Sequence, residues 1–502
     1  AMVVLLATTS IGAVFTSCAP ESGTASVVAK IGQVEPRVLF TVDGYVYGGK
    51  PFTRHDEAAA IRAAVPSIEV VVEVPYLDLD GERLENTHDW RAVVSSPREP
   101  EFAALPFQHP LHIVYSSGTT GAPKAIVHSH GGILLEHLKL FRLHDDLGPN
   151  DRWFWYSSTN WVAWNFGASV LMTGASIVIF DGHPMKPDLT RLWRLVGEER
   201  VTFMGASPSF LGVCQKAGLV PRDVVDLSAL RAVNAGGSPL PPEGWRWIQR
   251  EVKAGIYISS GSGGTDVASS FVGGTRLLPV RAGEISCRLL GVDAQAYDDD
   301  GHPLSGERGE LVIRRPMPSM PLKFWGDDGS RLRESYFERF PDVWCHGDWV
   351  SFSEHGSCAV TGRSDATLNR GGVRLGTSEF YSVLEELDGI ADCMVIHLEN
   401  DYSAGGELVL FVVPTEGRDL ADGLEATIGD VLRSQLSPRH VPDRVVAVGA
   451  IPRTLSGKRL EVPIKRLLLD PDFVLPPDAA GAGQQLDEYR ALALELRATA
   501  HV

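Results

Sequence analysis

Residues Tyr115 to Lys124 read YSSGTTGAPK and follow directly on the apolar run LHIVY. Glycines at 118 and 121 admit backbone conformations with positive φ and let N–H groups approach an anion closely, while Ser116, Ser117, Thr119 and Thr120 add hydroxyl donors. Lys124 adds a fixed positive charge. The stretch reads as a phosphate-holding loop leaving a strand. Its lysine stands three residues after the second glycine and is followed by alanine, which is not the G-x-x-x-x-G-K-[ST] spacing, so a GTPase-type loop is excluded. A flexible Ser/Gly linker is the alternative. It is disfavoured because the run lies between an apolar strand pattern and a helical pattern from Gly132 to Leu143.

Further segments follow in order: SGSGGTDV (Ser260 to Val267), WCHGDWV (Trp344 to Val350), GRSDATLNRGGVRLGTSE (Gly362 to Glu379) and IPRTLSGKR (Ile451 to Arg459). With the first loop they make five ordered matches, and the chain resembles the adenylate-forming superfamily of acyl-CoA synthetases, peptide-synthetase adenylation domains and luciferases. Within it, STNWVAWNFG (Ser158 to Gly167), RPMPSMPLKFWGDDGSR (Arg315 to Arg331), YFERFPDVWCHGDW and GRSDATLNRGG look most like acetoacetate-CoA ligases. The resemblance implies an α/β fold, with a large body of several subdomains built on parallel-rich sheets and a small mobile α+β C-terminal domain. It implies ATP, Mg²⁺ and CoA as cofactor and co-substrates, with a short β-keto acid, acetoacetate, as the acid.

Length agrees with more than one core, because 502 residues exceed what a single hydrophobic interior supports. Forty-six basic against 63 acidic side chains give a net charge of −17, which argues against nucleic acid or an anionic membrane as the main partner. Anionic small molecules therefore need local positive groups. Six cysteines with no C-x-x-C or metal-ligand spacing fit reduced, unpaired thiols and a cytoplasmic setting. The opening AMVVLLATTSIGAVFTSCAPESG superficially resembles an export signal ending in a lipidated cysteine. It has no Lys or Arg before Lys30, and it is short for a membrane span. Acetoacetate-CoA ligases carry a similar stretch well inside their sequences. By that resemblance a substantial N-terminal portion of the large domain is missing here, and Val3 to Phe15 are expected to expose apolar surface.

From Val38 to Val350 short β-rich runs (VLFTV, IEVVVEV, LHIVYSS, SIVIF, VTFMG, LRAVNAGG, GIYISS) alternate with helical patterns such as Leu189 to Val196, which implies parallel sheets covered by helices. Ligand crevices of such sheets lie beyond the carboxyl ends of the strands, so loops at 116–124, 235–239 and 260–266 are expected to converge on a nucleotide. Composition and resemblance together place a boundary near Asp365. The large AMP-binding domain is then 1–364, the small domain 365–480, and a helical tail 481–502 follows the linker-like PPDAAGAG.

Site roles come from the resemblance, residue by residue. Ser116, Ser117, Gly118, Thr119, Thr120, Gly121 and Lys124 hold phosphate. Thr265 touches the phosphate, and Asp266, where most relatives have Glu, lies near Mg²⁺; alternatively Asp266 only caps a helix beginning at Val267. Gly236, Gly237, Ser238 and Pro239 lie against adenine. Asp348 accepts the ribose hydroxyls, with a turn aspartate after Gly347 as the bland alternative, and Arg363 and Arg374 also reach the nucleotide. Lys458 supplies charge to the carboxylate and α-phosphate, although a solvated surface lysine is the common fate.

Trp161 and Val162 line the acyl pocket, together with Gly263, which stands where acetate-using relatives carry a tryptophan. The missing indole implies room for a longer acid, while Gly263 also suits a tight turn. For the thioester step, rotation about the hinge Asp365 brings Asn369 to Arg374 to the site, with Gly372 against pantetheine. Lys50 stands where relatives place an arginine for CoA. Three rival functions remain open at this point: a ligase for another short acid, a non-catalytic nucleotide-binding remnant, and a carrier-protein-loading enzyme.

Overall fold

The computed structural model describes residues 1–78, 84–116, 123–159, 161–364, 368–370, 373–375, 377–398, 407–420, 423–436, 440–454, 458–474 and 485–499. They fall into two compact units, one of residues 1–294 and 313–344, the other of 295–312 and 345–502.

The first unit contains a five-stranded sheet in the order Ser176–Val178, Arg152–Trp155, Phe203–Ala206, Ala232–Ala235, Tyr257–Ser260, every neighbour parallel. Its flanking helices follow from their spacing. In Arg191–Glu198 (RLWRLVGE) Leu192, Trp193, Leu195 and Val196 are buried in one stripe, with Arg194 turned to solvent. Pro208–Lys216 begins with proline at its first turn, and the Ser207 hydroxyl caps it by accepting from Phe210 N at 3.2 Å. Trp193, Met204, Leu211, Ile248 and Ile258 share the resulting core. Register sets Ala206 beside Ala235 and Ala235 beside Ser260, so the loops after these strands leave one edge of the sheet, as expected for 236–239 and 261–266.

The strand LHIVYS is also present, as Pro110–Ser116, and the helix read from Gly132 to Leu143 follows it at His130–His144, with a strand between them that the sequence reading did not assign. That strand, Lys124–Ser129, is antiparallel to Pro110–Ser116 and pairs Ser116 with Lys124 and Tyr115 with Ala125. KAIVHS has no alternation to betray it, because both faces are covered: Ala125 to Ser129 are all buried. The helix then starts at His130, with Ser129 capping Gly132 N at 3.0 Å, and runs on through wider turns at Lys139–His144.

Near the start, helix Met2–Ser10 buries Leu5 while Val3 and Leu6 are exposed, and Phe15 stacks on Trp164 at 6.1 Å. The apolar exposure expected of Val3 to Phe15 is present at Val3, Leu6, Ile11 and Val14, while Leu5 and Phe15 are buried. Lys50 opens the outer strand of a hairpin, Gly44–Tyr47 with Lys50–Thr53, turned by Gly48 and Gly49 at φ +62° and +83°. Two consecutive positive φ values are what a two-residue hairpin turn requires, and glycine supplies them.

The second unit carries a five-stranded sheet that ends in Trp344–Phe352 and Cys358–Arg363, and a three-stranded sheet of Ile390–Leu398, Glu407–Pro414 and Arg444–Ala447. Both faces of the latter are buried by period two. Cys393, Val395, Leu408, Leu410 and Val412 meet the helices Thr377–Leu384 and Leu424–Gln435. Met394, Ile396, Val409 and Phe411 meet Glu461–Leu469 and Gln485–Thr499.

Two boundaries change as a result. The last helix, expected as a tail outside the small domain, is part of its core: Tyr489 is fully buried and its hydroxyl donates to Ala450 O at 3.1 Å. Residues 295–312 and 345–364, assigned by sequence to the large domain, cluster with the C-terminal unit, and Asp365 itself lies outside the described residues. Among the described residues no helix is long and apolar enough to cross a membrane. All six cysteines are free thiols.

Candidate functional site

Of the phosphate-loop residues, Ser116 and Lys124 are placed as the paired shoulders of the hairpin; Ser117, Gly118, Thr119, Thr120 and Gly121 lie outside the described residues. The Lys124 ammonium sits 4.9 Å from the ring centre of Tyr336 and 5.6 Å from that of Phe324. Tyr336, in helix Ser330–Phe337, is buried and stacks on Trp344 with ring centres 3.6 Å apart and planes 11° from parallel. Its hydroxyl donates to Oδ1 of Asp266.

Thr265 and Asp266 occupy the turn of a hairpin, Ser262–Gly264 with Ser269–Gly273. No helix begins at Val267, so Asp266 is not a helix cap. The turn is held from beneath by buried His137, and buried His128 lies beside it. His137 Nε2 donates to Ala268 O at 2.7 Å, and its Nδ1 accepts from Ser169 Oγ at 2.7 Å. His128 faces Ser319 O through Nδ1 at 2.9 Å and Thr265 O through Nε2 at 3.3 Å. Burial pushes both imidazoles down to about 4, so each is neutral with a single N–H at physiological pH. These histidines were not singled out in the sequence. Only their meeting with carbonyls about 130 residues away reveals them.

Gly263 needs correction. A Cβ there would stand 2.0 Å from Ser269 O and 2.5 Å from Ser270 Cα, so the partner strand's backbone excludes any side chain. The glycine is demanded by the hairpin, and the space a side chain would take is filled by that backbone, so the missing indole is not what gives room for a longer acid.

Trp161 and Val162 are brought to the expected loops. Trp161 lies 3.6 Å from where a Cβ of Gly237 would be, and Gly237 has φ +101°. Val162 packs with Ala268 and Ile133. Gly237, Ser238 and Pro239 are exposed, and Gly236 approaches the Trp155 ring, which meets Trp161 edge-on at 5.9 Å. Trp155 is a further aromatic of this wall that the motif reading missed. Lys50 is exposed on its hairpin.

Within the second unit Asp348 is a strand residue, not a turn aspartate. It is buried, pairs in register with Arg363, and has His346 Nε2 at 3.8 Å. Glu310 braces the strand by accepting from Gly347 N at 3.0 Å and Ser364 Oγ at 2.9 Å. Arg374 pairs through its backbone with Asn369, and Gly372 lies outside the described residues. Lys458 is exposed at the end of a loop closed by Thr454 N donating to Lys458 O at 2.8 Å and Lys458 N donating to Thr454 Oγ1 at 3.1 Å.

The donor set at 265–266 suits Mg²⁺. One half-exposed carboxylate beside a threonine leaves most coordination positions to phosphate oxygens and water, the usual way this ion is held. Among the described residues one acidic cluster has ligand spacing, Asp298, Asp300 and His302, and it is largely exposed.

Comparison with known proteins gives a consistent set of matches. Residues 1–321 match the AMP-binding enzyme family and 379–458 the AMP-binding enzyme C-terminal domain. The chain is 41% identical over 500 residues to an acetoacetyl-coenzyme A synthetase of Rhizobium meliloti (strain 1021), covering 97% of this chain and 76% of that one. It is 37% identical over 477 residues to the acetoacetyl-CoA synthetase of Gallus gallus, covering 92% and 71%. The solved structure of the acetoacetyl-CoA synthetase from Streptomyces lividans superposes with a TM-score of 0.91 at 47% identity, over 98% of this chain and 76% of the other.

Proposed function

Since the chain belongs to the AMP-binding enzymes and, within them, to the acetoacetyl-CoA synthetases, we propose that it joins acetoacetate to CoA at the expense of ATP through an acyl-adenylate. The observation that carries this reading is the meeting of Lys124 and Asp266 on one side chain, Tyr336. The phosphate lysine and the carboxylate suited to a phosphate-bound cation, far apart in sequence, form one polar cluster.

In the first half-reaction a carboxylate oxygen of acetoacetate attacks the α-phosphorus, the P–O bond to pyrophosphate breaks, and pyrophosphate leaves. The nucleophile is already ionised at neutral pH, so no base is needed. What limits the step is an anion approaching a polyanion. Lys124, with the loop N–H groups, offsets charge on the departing phosphates; Thr265 orients an α-phosphate oxygen; Lys458 supplies charge to the carboxylate and α-phosphate. Mg²⁺ held at Asp266 would neutralise phosphate charge. Asp348 and Arg363 hold the ribose, Arg374 also reaches the nucleotide, and Gly236 to Pro239 flank adenine. Trp161, Val162 and Trp155 supply an apolar wall for a four-carbon acid.

In the second half-reaction the CoA sulfur forms the C–S bond at the adenylate carbonyl, the C–O bond to phosphate breaks with AMP leaving, and the thiol proton goes to solvent. Gly372 lies against pantetheine, Lys50 receives a CoA phosphate, and Asp365 is the hinge between steps. The six free thiols agree with a cytoplasmic reaction.

The test is AMP formation from ATP across a panel of acetoacetate, acetate, 3-hydroxybutyrate and butyrate, with and without CoA. CoA-dependent AMP formation greatest with acetoacetate is expected. Preference for another acid overturns the substrate, and absence of pyrophosphate release with any acid overturns the enzyme.

A further inference from the structure

We propose that Tyr336 is a positioning residue of the phosphate site, ordering the Asp266 carboxylate through its hydroxyl and the Lys124 ammonium through its ring face. The proposal rests on the reading of Lys124 and Asp266 as phosphate and cation groups. The two side chains come from separate hairpins and meet at one ring. Lys124 lies on the strand Lys124–Ser129 and Asp266 in the turn after Ser262–Gly264, and these strands belong to different sheets. Tyr336 reaches both from a third element, helix Ser330–Phe337.

The tyrosine is itself held rigidly. Its ring stacks on Trp344 at 3.6 Å and meets Phe324 edge-on at 6.1 Å, and Phe324 also faces Lys124. An ammonium over an aromatic face is attracted by the ring's negative quadrupole, which favours one lysine direction among many rotamers. A phenol donating to one carboxylate oxygen constrains the plane of the carboxylate. This matters for an aspartate, whose carboxylate hangs on a single methylene. A short side chain has little reach to correct a misplaced carboxylate, so an external hydroxyl that sets it is worth more.

The two halves of the role separate by substitution. Tyr336→Phe keeps the stack and the ring under Lys124 but removes the hydroxyl. Tyr336→Leu removes both. ATP binding is read by calorimetry without acid, so no turnover occurs, with and without Mg²⁺, alongside steady-state KM and kcat and the melting temperature. Tyr336→Phe is expected to raise the Mg²⁺ concentration at half-effect roughly tenfold, the scale of one hydrogen bond to a charged group, with Mg²⁺-free ATP binding unchanged. Tyr336→Leu is expected to weaken ATP binding in both conditions. A purely structural tyrosine would lower melting in both variants and leave the Mg²⁺ midpoint where it was, which overturns the proposal.

Asp266→Asn separates the failures. If Asp266→Asn shifts the Mg²⁺ midpoint and Tyr336→Phe does not, Tyr336 has no positioning role. If Asp266→Asn itself leaves the midpoint unmoved, the assignment of Asp266 to the cation fails first, and the proposal with it.

Discussion

Asp392 receives Arg453 through both carboxylate oxygens, at 2.7 and 2.8 Å, and the same carboxylate accepts from Arg459 at 3.1 Å. The two arginines bracket the Lys458 loop and pair across it as an antiparallel bridge. Arg459 is further tied to Cys393 O and Glu385 and lies 3.8 Å over Tyr381. Lys458 thus stands on a frame pinned at both shoulders by one acid in the strand Ile390–Leu398. Asp392→Asn should lower melting by an amount corresponding to about 2 kcal/mol, because two half-buried guanidinium groups lose their common partner. It should also slow pyrophosphate release more than thioester formation from supplied acyl-adenylate. Equal loss in both steps would mean the acid serves only the core of that unit.

Lys458→Ala should depress adenylate formation by about 10²-fold, the order expected when a transition-state charge donor is lost, and spare thioester formation from supplied adenylate. The exposure of Lys458 makes this a clean substitution, since little packing is lost with it. A matching decline in the two half-reactions would refute its role.

Gly263→Trp should yield little folded enzyme, and even Gly263→Ala should lower the melting temperature clearly, because the first added carbon already overlaps Ser269 O. Urea denaturation of the alanine variant, with acid preference measured beside it, is the check. An alanine variant as stable as the parent, with acid choice moved toward acetate, would restore the pocket reading.

Stability should fall as the pH is lowered from about 6.5 toward 4. Burial lowers His128 and His137 to about 4 in the folded chain, and His112 well below its ordinary value. The unfolded chain therefore binds more protons throughout that window, and stability rises with pH across it. Asp145, raised to about 7 by burial, acts in the opposite direction, since the folded form then holds a proton the unfolded form has lost. Burial also lowers His130, His144 and His183 and raises Glu21, so six histidines against two acids leave the net slope positive. Melting temperature against pH measures it, and His137→Gln should flatten the curve; a flat parent curve between 4 and 6.5 would refute neutral burial.

Composition and motif order were enough to read the family, the fold class and the parallel strands. Each of those rests on a local cause: glycines for positive φ, hydroxyls for an anion, and apolar runs of strand length. The sequence also marked Lys124, Asp266 and Lys458 by their loops. It could not give what those residues touch. KAIVHS was hidden as a strand because a segment buried on both faces has no alternation to display. Gly263 looked like an opened pocket, and only the opposing backbone of Ser269 makes it a steric requirement. Tyr336, His137 and Asp392 carry no motif; each acts through partners about 60 to 210 positions away, brought within reach by the packing of separate elements. The identity of the groups was fixed locally by the chain, and their orientation was decided by tertiary contacts, because a side chain's direction is set by what packs around it.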